Sequence, residues 1–430
     1  MKITVVGAGY VGLPLAAVLA DFGNTVWIVR KDKEKNEALK KGNIHIFEPG
    51  LEKLVKKNLK AGRFIPTCDY SQAIPDSDVV FITVGTPCSS YGEADLTQVL
   101  GVAKEIGENL KKGRTIIVSK STAPPGSTRK IASMIEKFKP KGAQFEIAFC
   151  PEFLREGLAI EDTLHPNRLV IGSESPQAIK ILKEIHQTFK APILVTGIES
   201  AELIKYAANA YLALRIVYAN EIANLCERTG AKIEEVIQGI GMDKRIGLHY
   251  WYPGLGYGGS CFPKDVWALA AFATKIGQSG SLFEKMHQLN TDRITQLMNK
   301  VSKDFGGFSG KTIGILGLAC KQGTDDIRES PAIKVVNYLI KQKTKIKAYD
   351  PMAMKNSKAA LPQIDYQKDT YQTAQKADIL MILTDWPEFA KLNYGKIRQE
   401  MKGKFIFDSR NILNKEKMEK LGFKYLGVGR

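Results

Sequence analysis

The chain predicts an α/β protein: two Rossmann-like, doubly wound parallel-sheet domains joined by a long central helix and a helical middle domain. Three observations carry this expectation. Short apolar runs alternate with helical patterns over residues 1–120, a long amphipathic stretch begins near residue 200, and the last third repeats the opening plan. The 430 residues exceed what one core usually serves, roughly 250–300, so several domains are expected. Their boundaries are read at 1–199, 200–300 and 301–430.

Taken in order, Lys2 to Val6 is a strand, Val11 to Phe22 a helix and Thr25 to Val29 a second strand. Between the first strand and the helix lies Gly7-Ala8-Gly9-Tyr10-Val11-Gly12. Gly7 allows the tight turn, Gly9 lets the backbone approach a pyrophosphate, and Gly12 permits close helix–strand packing. A helix starting near Tyr10 would aim its N–H groups at the phosphates. The second strand should then end in an acid that binds the ribose hydroxyls of NAD. Arg30 stands there instead, followed by Lys31. An Arg–Lys pair suits a 2′-phosphate, so NADP is a cofactor expectation beside NAD. The alternative is that Asp32 meets the ribose while Arg30 stacks on adenine.

Asp78 to Val84 and Thr115 to Ser119 are continuous apolar runs, as in strands buried on both faces. From Ser200 to Thr229, Leu203, Ala207, Tyr211, Leu214 and Val217 recur at helical spacing. Such a helix could bridge two domains and offer a face for dimerisation. Lys311 to Gly317, Lys345 to Asp350 and Ala377 to Thr384 then parallel the opening strands. The second half lacks a full GxGxxG and should hold something other than the dinucleotide.

A net charge of +17 raises nucleic-acid binding, but the lysines are dispersed rather than clustered with aromatics. Solvated helix faces explain them, and the positive field would attract an anionic nucleotide. The six cysteines are scattered without a CxxC pair, which speaks against a disulfide framework or a structural metal. No run approaches the roughly 20 apolar residues of a membrane span. A cytoplasmic protein with no nucleic-acid or membrane partner is expected.

The segment Gly256-Tyr257-Gly258-Gly259-Ser260-Cys261-Phe262-Pro263-Lys264-Asp265 sets one cysteine in a glycine-rich backbone beside a cation and a carboxylate. A thiol there can be ionised and used as a nucleophile. A hydride acceptor with a covalent nucleophile suggests oxidation past the aldehyde. GAGYVG (7–12), FEPGL (47–51), VGTP (84–87), KSTAPPGS (120–127), PEFLREG (151–157), AELIKYAANAYLA (201–213), GYGGSCFPKD (256–265), TDDIRESPA (324–332) and DSRN (408–411) follow in that order. Through these motifs the chain resembles the nucleotide-sugar 6-dehydrogenases, the UDP-glucose/GDP-mannose dehydrogenase family, essentially end to end.

The resemblance implies oxidation of the C6 alcohol of UDP-glucose to a carboxylate with two NAD+ reduced. Cys261 would attack the aldehyde, Lys205 and Asn209 would bind the C6 oxyanion, and Asp265, with Thr122 through a water, would be the first base. Glu152, supported by Glu156, would stand beside the water that hydrolyses the thioester. Two nearby carboxylates should not both ionise easily, so one is expected to titrate high. Phe153, Leu154, Tyr257 and Gly258 would touch substrate, and Lys321, Arg328 and Arg410 would supply cations to the UDP. Cofactor contacts would come from Gly7, Gly9, Tyr10, Val11, Gly12, Arg30, Thr86, Thr122, Lys264 and Arg328. Lys264 could instead offset the charge of Asp265. Arg245 would reach the sugar site of a neighbouring subunit, which implies a homodimer or higher oligomer. Cys320 replaces the bulky aromatic usual in its motif. GDP-mannose and UDP-N-acetylhexosamine dehydrogenases share Cys261, Lys205 and Asn209. A non-catalytic nucleotide-sugar sensor would be expected to lose such residues.

Overall fold

In the computed structural model, which describes residues 1–111 and 113–430, the first half of the chain lays down β1 (Lys2–Val6), β2 (Thr25–Val29), β3 (Phe64–Thr67), β4 (Val79–Ile82), β5 (Gly113–Ser119), β6 (Ala143–Phe149), β7 (Leu169–Gly172) and β8 (Ile193–Thr196). They form one sheet in the order β3-β2-β1-β4-β5-β6-β7-β8. All neighbours run parallel except β6 and β7, which meet antiparallel at Phe149 and Gly172. The order reverses between β1 and β4. That is where a doubly wound sheet opens a crevice at the carboxyl ends of its strands. Helix α1 (Gly12–Asp21) is buried from Gly12 to Ala20, because GLPLAAVLA is apolar on every face. Helix α2 (Lys33–Lys40) follows β2, and α3 (Ser127–Phe138) follows β5.

The last third contains β9 (Thr312–Leu316), β10 (Lys345–Tyr349), β11 (Asp365–Tyr366), β12 (Ile379–Ile382), β13 (Phe405–Asp408) and β14 (Lys424–Leu426), in the order β11-β10-β9-β12-β13-β14. This repeats the plan of the first sheet, as the sequence parallels predict. The repetition extends to single hydrogen bonds. The Lys2 N–H donates to the Asp78 carboxylate at 2.8 Å, and the Thr312 N–H donates to Asp378 at 2.9 Å. The two sheets are therefore two Rossmann-like domains, with a helical region between them in sequence.

That region holds α4 (Ile198–Thr229), α5 (Phe262–Lys275) and α6 (Leu282–Phe305). Helix α4 has 32 residues, about 48 Å at 1.5 Å per residue. By compactness the chain divides into Met1–Ala208 and Asn209–Arg430, so α4 begins in the first unit and ends in the second. Among the described residues no helix is long and apolar enough to cross a membrane. The apolar spacing along α4 has an unexpected orientation. Leu203, Ala207 and Tyr211 are exposed, whereas Glu202, Lys205 and Asn209 are buried. Polar side chains point inward because partners await them there.

Candidate active site

In the first unit the glycine turn closes as its sequence demands. Gly7 sits at φ +110 and donates its N–H to the Val29 carbonyl at 2.9 Å, tying the turn to β2. A Cβ at Gly12 would collide with the Gly7 carbonyl and the Thr83 hydroxyl, whereas one at Gly9 would meet open space. The turn thus packs tightly on the protein side and leaves room on the other, the cradle a pyrophosphate needs. Tyr10 and Val11 are half-buried beside it. Thr86 and Thr122 lie just beyond β4 and β5, both buried, with the Thr86 hydroxyl donating to the Thr122 carbonyl at 2.5 Å. The residues present fit a dinucleotide.

At the end of β2, Arg30 is half-buried and its Nη1 lies 3.2 Å from Nδ1 of His45. Asp32 caps α2, accepting from the Lys35 N–H at 3.0 Å, and pairs with the Lys35 ammonium at 3.4 Å. Its carboxylate therefore serves the helix. In the second half the equivalent acid, Asp350, is fully buried. One carboxylate oxygen accepts from the Leu318 N–H at 2.7 Å and the Ala319 N–H at 3.0 Å, the other from Ala353 at 2.7 Å.

The loop Pro151–Gly157 has no helical structure and carries Glu152 inward. The Lys205 ammonium lies 3.0 Å from Glu152, and both side chains are under a tenth exposed. Glu152 also accepts from the Leu154 N–H at 2.7 Å. Burial alone would raise the Glu152 pKa. The Lys205 charge, the Leu154 N–H and the more distant Lys120 reverse this and leave it lowered. The expectation of a high-titrating carboxylate is corrected for Glu152, because cations dominate its surroundings. Glu156 is half-buried further along the loop. Phe153 lies under the Arg168 guanidinium, 3.6 Å from ring centroid to Cζ. Phe153 and Leu154 line a cavity with Val11, Lys120, Glu152 and Arg168.

Three supports of this half were not visible in the sequence. Glu48, in FEPGL, accepts from the N–H groups of Gly157 at 2.9 Å and Ala159 at 2.6 Å and so anchors the Glu152 loop. Glu202 accepts from the N–H groups of Gly126 and Thr128 and from the Thr128 hydroxyl, at 2.7 to 2.8 Å. It fixes the start of α3 to α4 one turn before Lys205. Lys120 is buried and donates to the Cys150 carbonyl at 3.0 Å; burial lowers its pKa and Lys205 adds to the effect. A charged residue inside a largely apolar motif was the available signal for Glu48 and Glu202.

In the second unit Cys261 is the N-cap of α5, so its sulfur stands where the helix dipole favours an anion. The Ser260 hydroxyl is 3.5 Å from it. One turn on, Asp265 is 1% exposed. The Lys264 ammonium and the Asn209 amide each donate to it at 2.6 Å. Lys264 therefore offsets the charge of Asp265, and one N–H of the Asn209 amide is engaged by that carboxylate. The loop before Cys261 is clamped from α4 and α6. The Gly254 N–H donates to Asn220 at 2.8 Å, Arg293 donates to the Gly254 carbonyl at 2.9 Å, and Asn290 bonds both backbone groups of Tyr257. Tyr257 is buried, and its hydroxyl has no partner among the described residues. A Cβ at Gly258 would strike the Glu329 carbonyl, so only glycine lets this loop lie against the TDDIRES segment.

The expected UDP cations differ in availability. Lys321 is half-buried. Arg328 pairs with Asp326 at 2.8 Å, and Arg410 donates to the carbonyls of Leu383 at 2.9 Å and Cys320 at 3.2 Å. Cys320 donates its thiol to the Arg328 carbonyl at 3.1 Å. The Arg245 side chain is 89% exposed and bridges only locally to Asp243 at 2.6 Å.

Comparison with known proteins gives matches along the whole chain. Residues 1–190 match the NAD binding domain of the UDP-glucose/GDP-mannose dehydrogenase family, 199–292 its central domain and 314–415 its UDP binding domain. The chain is 43% identical to the UDP-glucose 6-dehydrogenase TuaD of Bacillus subtilis, over 100% of this chain and 93% of that protein. It is also 43% identical to a UDP-glucose 6-dehydrogenase of Rhizobium meliloti, over 100% of both. Among solved structures, a UDP-glucose dehydrogenase from the archaeon Pyrobaculum islandicum superimposes with a TM-score of 0.93 at 36% identity, covering 99% of this chain and 97% of that one.

Proposed function

Because the chain belongs to the UDP-glucose/GDP-mannose dehydrogenase family, we propose that it oxidises UDP-glucose to UDP-glucuronate in two hydride transfers. The observation that carries this reading is Cys261 at a helix N-terminus, one turn from an enclosed carboxylate held by Lys264 and Asn209. A simple alcohol dehydrogenase has no need of the thiol. We assign the dinucleotide to residues 1–199, the thiol and the dimer face to 200–300, and the UDP to 301–430.

Bound NAD supplies the hydride acceptor, and the glycine turn with Thr86 and Thr122 would hold it. Arg30 makes NADP a second acceptor. Asp265 takes the proton of the C6 alcohol as the aldehyde forms, with Asn209 holding the carboxylate in place. The Cys261 thiolate adds to the aldehyde carbon to give a thiohemiacetal. This carbon would give up its hydride to a second molecule of oxidised dinucleotide as the hydroxyl proton leaves to solvent, giving a thioester that water cleaves to the carboxylate and the free thiol. Lys205 stabilises oxyanion character at C6. Glu152 is held ionised by its lysines and therefore in the form that accepts a proton from the attacking water. Tyr257, Gly258, Lys321 and Arg410 shape the substrate side, and the unpartnered Tyr257 hydroxyl is a donor in want of an acceptor.

A homodimer completes the proposal. Tyr211, Tyr218 and Leu225 of α4 are 57%, 50% and 55% exposed and lie seven residues apart, an apolar seam that suits a second copy. Arg245, exposed and only locally paired, would then serve the partner's sugar site. A cytoplasmic location belongs to this reading, and the free, scattered cysteines support it.

The test is reduced cofactor formed per UDP-glucose when the sugar is limiting. Two per sugar supports the reading, and one per sugar would remove the role of Cys261. None would redirect the search to GDP-mannose and the N-acetylhexosamine nucleotides. Cys261→Ala should form no carboxylate, and Cys261→Ser should accumulate an ester detectable by intact-protein mass spectrometry. Full turnover by either variant contradicts the covalent route.

A further inference from the structure

We propose that Arg30 and His45 together form a binding site for a ribose 2′-phosphate, so that the chain takes NADP at least as well as NAD. This rests on reading residues 1–199 as the dinucleotide domain and names the specificity-determining pair within it.

The location comes first. Arg30 follows the last residue of β2, and the preceding Val29 carbonyl accepts from the N–H of Gly7. The side chain thus leaves the sheet beside the glycine turn, at the strand-end position that normally contributes an acid to the ribose hydroxyls. A guanidinium there repels nothing on a 2′-phosphate and offers donors in a planar fork. The nearby Asp32 already serves its own helix. Asp32 is occupied by the Lys35 N–H and ammonium.

Two features indicate that the guanidinium is held for a ligand. Its Nε is enclosed and has no hydrogen-bond partner among the described residues. Its Nη1 is steadied by Nδ1 of His45 at 3.2 Å. A guanidinium can only donate, so His45 accepts at Nδ1 and carries its ring proton on Nε2. That ring N–H is hydrogen-bonded to the Ala8 backbone in the glycine turn, so the imidazole holds the guanidinium beside the cradle. Burial of part of the ring, and then the charges of Arg30 and Lys35, lower the His45 pKa; solvent around the exposed ring moderates the effect. His45 is thus neutral in the free protein and does not compete with Arg30 for charge. Lys31, exposed and adjacent, adds positive potential.

The experiment is isothermal titration of the full chain with 2′,5′-ADP and with 5′-AMP, followed by NADP and NAD. A charge-assisted contact implies that 2′,5′-ADP binds roughly tenfold or more tightly than 5′-AMP. Arg30→Asp should abolish that difference. His45→Ala should reduce it severalfold, and His45→Asn, which keeps an acceptor for the guanidinium, should restore part of it. Wild-type protein that binds 5′-AMP as tightly as 2′,5′-ADP overturns the proposal, as does an unchanged preference in Arg30→Asp. The wild-type comparison and the His45 variants decide the matter even if Arg30→Asp does not fold. Failure of all four nucleotides to bind would instead remove the dinucleotide reading on which the proposal rests.

Discussion

Burying the Glu152 carboxylate would push its pKa upward, yet the Lys205 ammonium at 3.0 Å leaves it lowered. The stability it contributes is therefore fully present above the ordinary carboxylate pKa, about 4.3, and is lost as pH falls towards the folded value. Lys205→Met strands the charge and should cost roughly 3–5 kcal/mol, as for any broken buried pair. Thermal melts across the acid range check both statements: the variant should lose stability as pH rises through the carboxylate range, where the wild type gains it. The pair also shows where the sequence stops being legible. Lys205 stands out as a cation in a largely apolar motif and Glu152 is one of several charges in its own, but 53 positions separate them in the numbering and no spacing rule joins them. Glu48 and Glu202 escaped notice for the same reason, since each acts on backbone N–H groups that a motif does not display. Gly7 and Gly12 were legible because a local steric need fixes both residue and spacing.

Among the elements, α4 and the loop before α5 carry the sharpest expectations. The apolar spacing of α4 correctly marks a long helix, but spacing cannot say which face is turned inward. The buried polar residues decide that, and they leave Tyr211, Tyr218 and Leu225 outward. Tyr218→Glu combined with Leu225→Glu should convert the proposed dimer to a monomer by sedimentation, with helix content unchanged. A native-sized dimer in the double variant would remove α4 as the interface. For the loop, Gly258→Ala places a methyl group against the Glu329 carbonyl and Pro331. Displacing Cys261 by about 1 Å implies a loss of kcat on the order of 100-fold. Steady-state kinetics beside an unchanged melting temperature would separate this from unfolding.

Across the whole molecule, the sequence displays two Rossmann plans because strand runs, turn residues and their order repeat. It does not display the different fates of equivalent positions. The strand-end residue is Arg30 in one half and Asp350 in the other, and only the structure shows that Asp350 is a ligand for the surrounding backbone rather than for a nucleotide. The positive field of a +17 chain belongs to this scale as well. Raising salt from about 50 to 500 mM, which shortens the Debye length severalfold, should raise KM for the UDP-sugar more than it changes kcat. Equal effects on both would mean that long-range attraction plays no part.

The hydrogen bonds of Asp350 make the two halves unequal as substrates for change. In the second half, Asp350→Ala would release several buried N–H donors at once, each costing about 1–3 kcal/mol if left unmet, so the position is closed to variation by the fold itself. In the first half, the Arg30 side chain holds no comparable set of backbone groups among the described residues; its Nη1 meets one imidazole. The two halves thus use the same strand-end position differently, with a backbone keystone in only one of them. A substitution at residue 30 therefore tests the proposed cofactor choice, whereas the same substitution at residue 350 would test the fold itself.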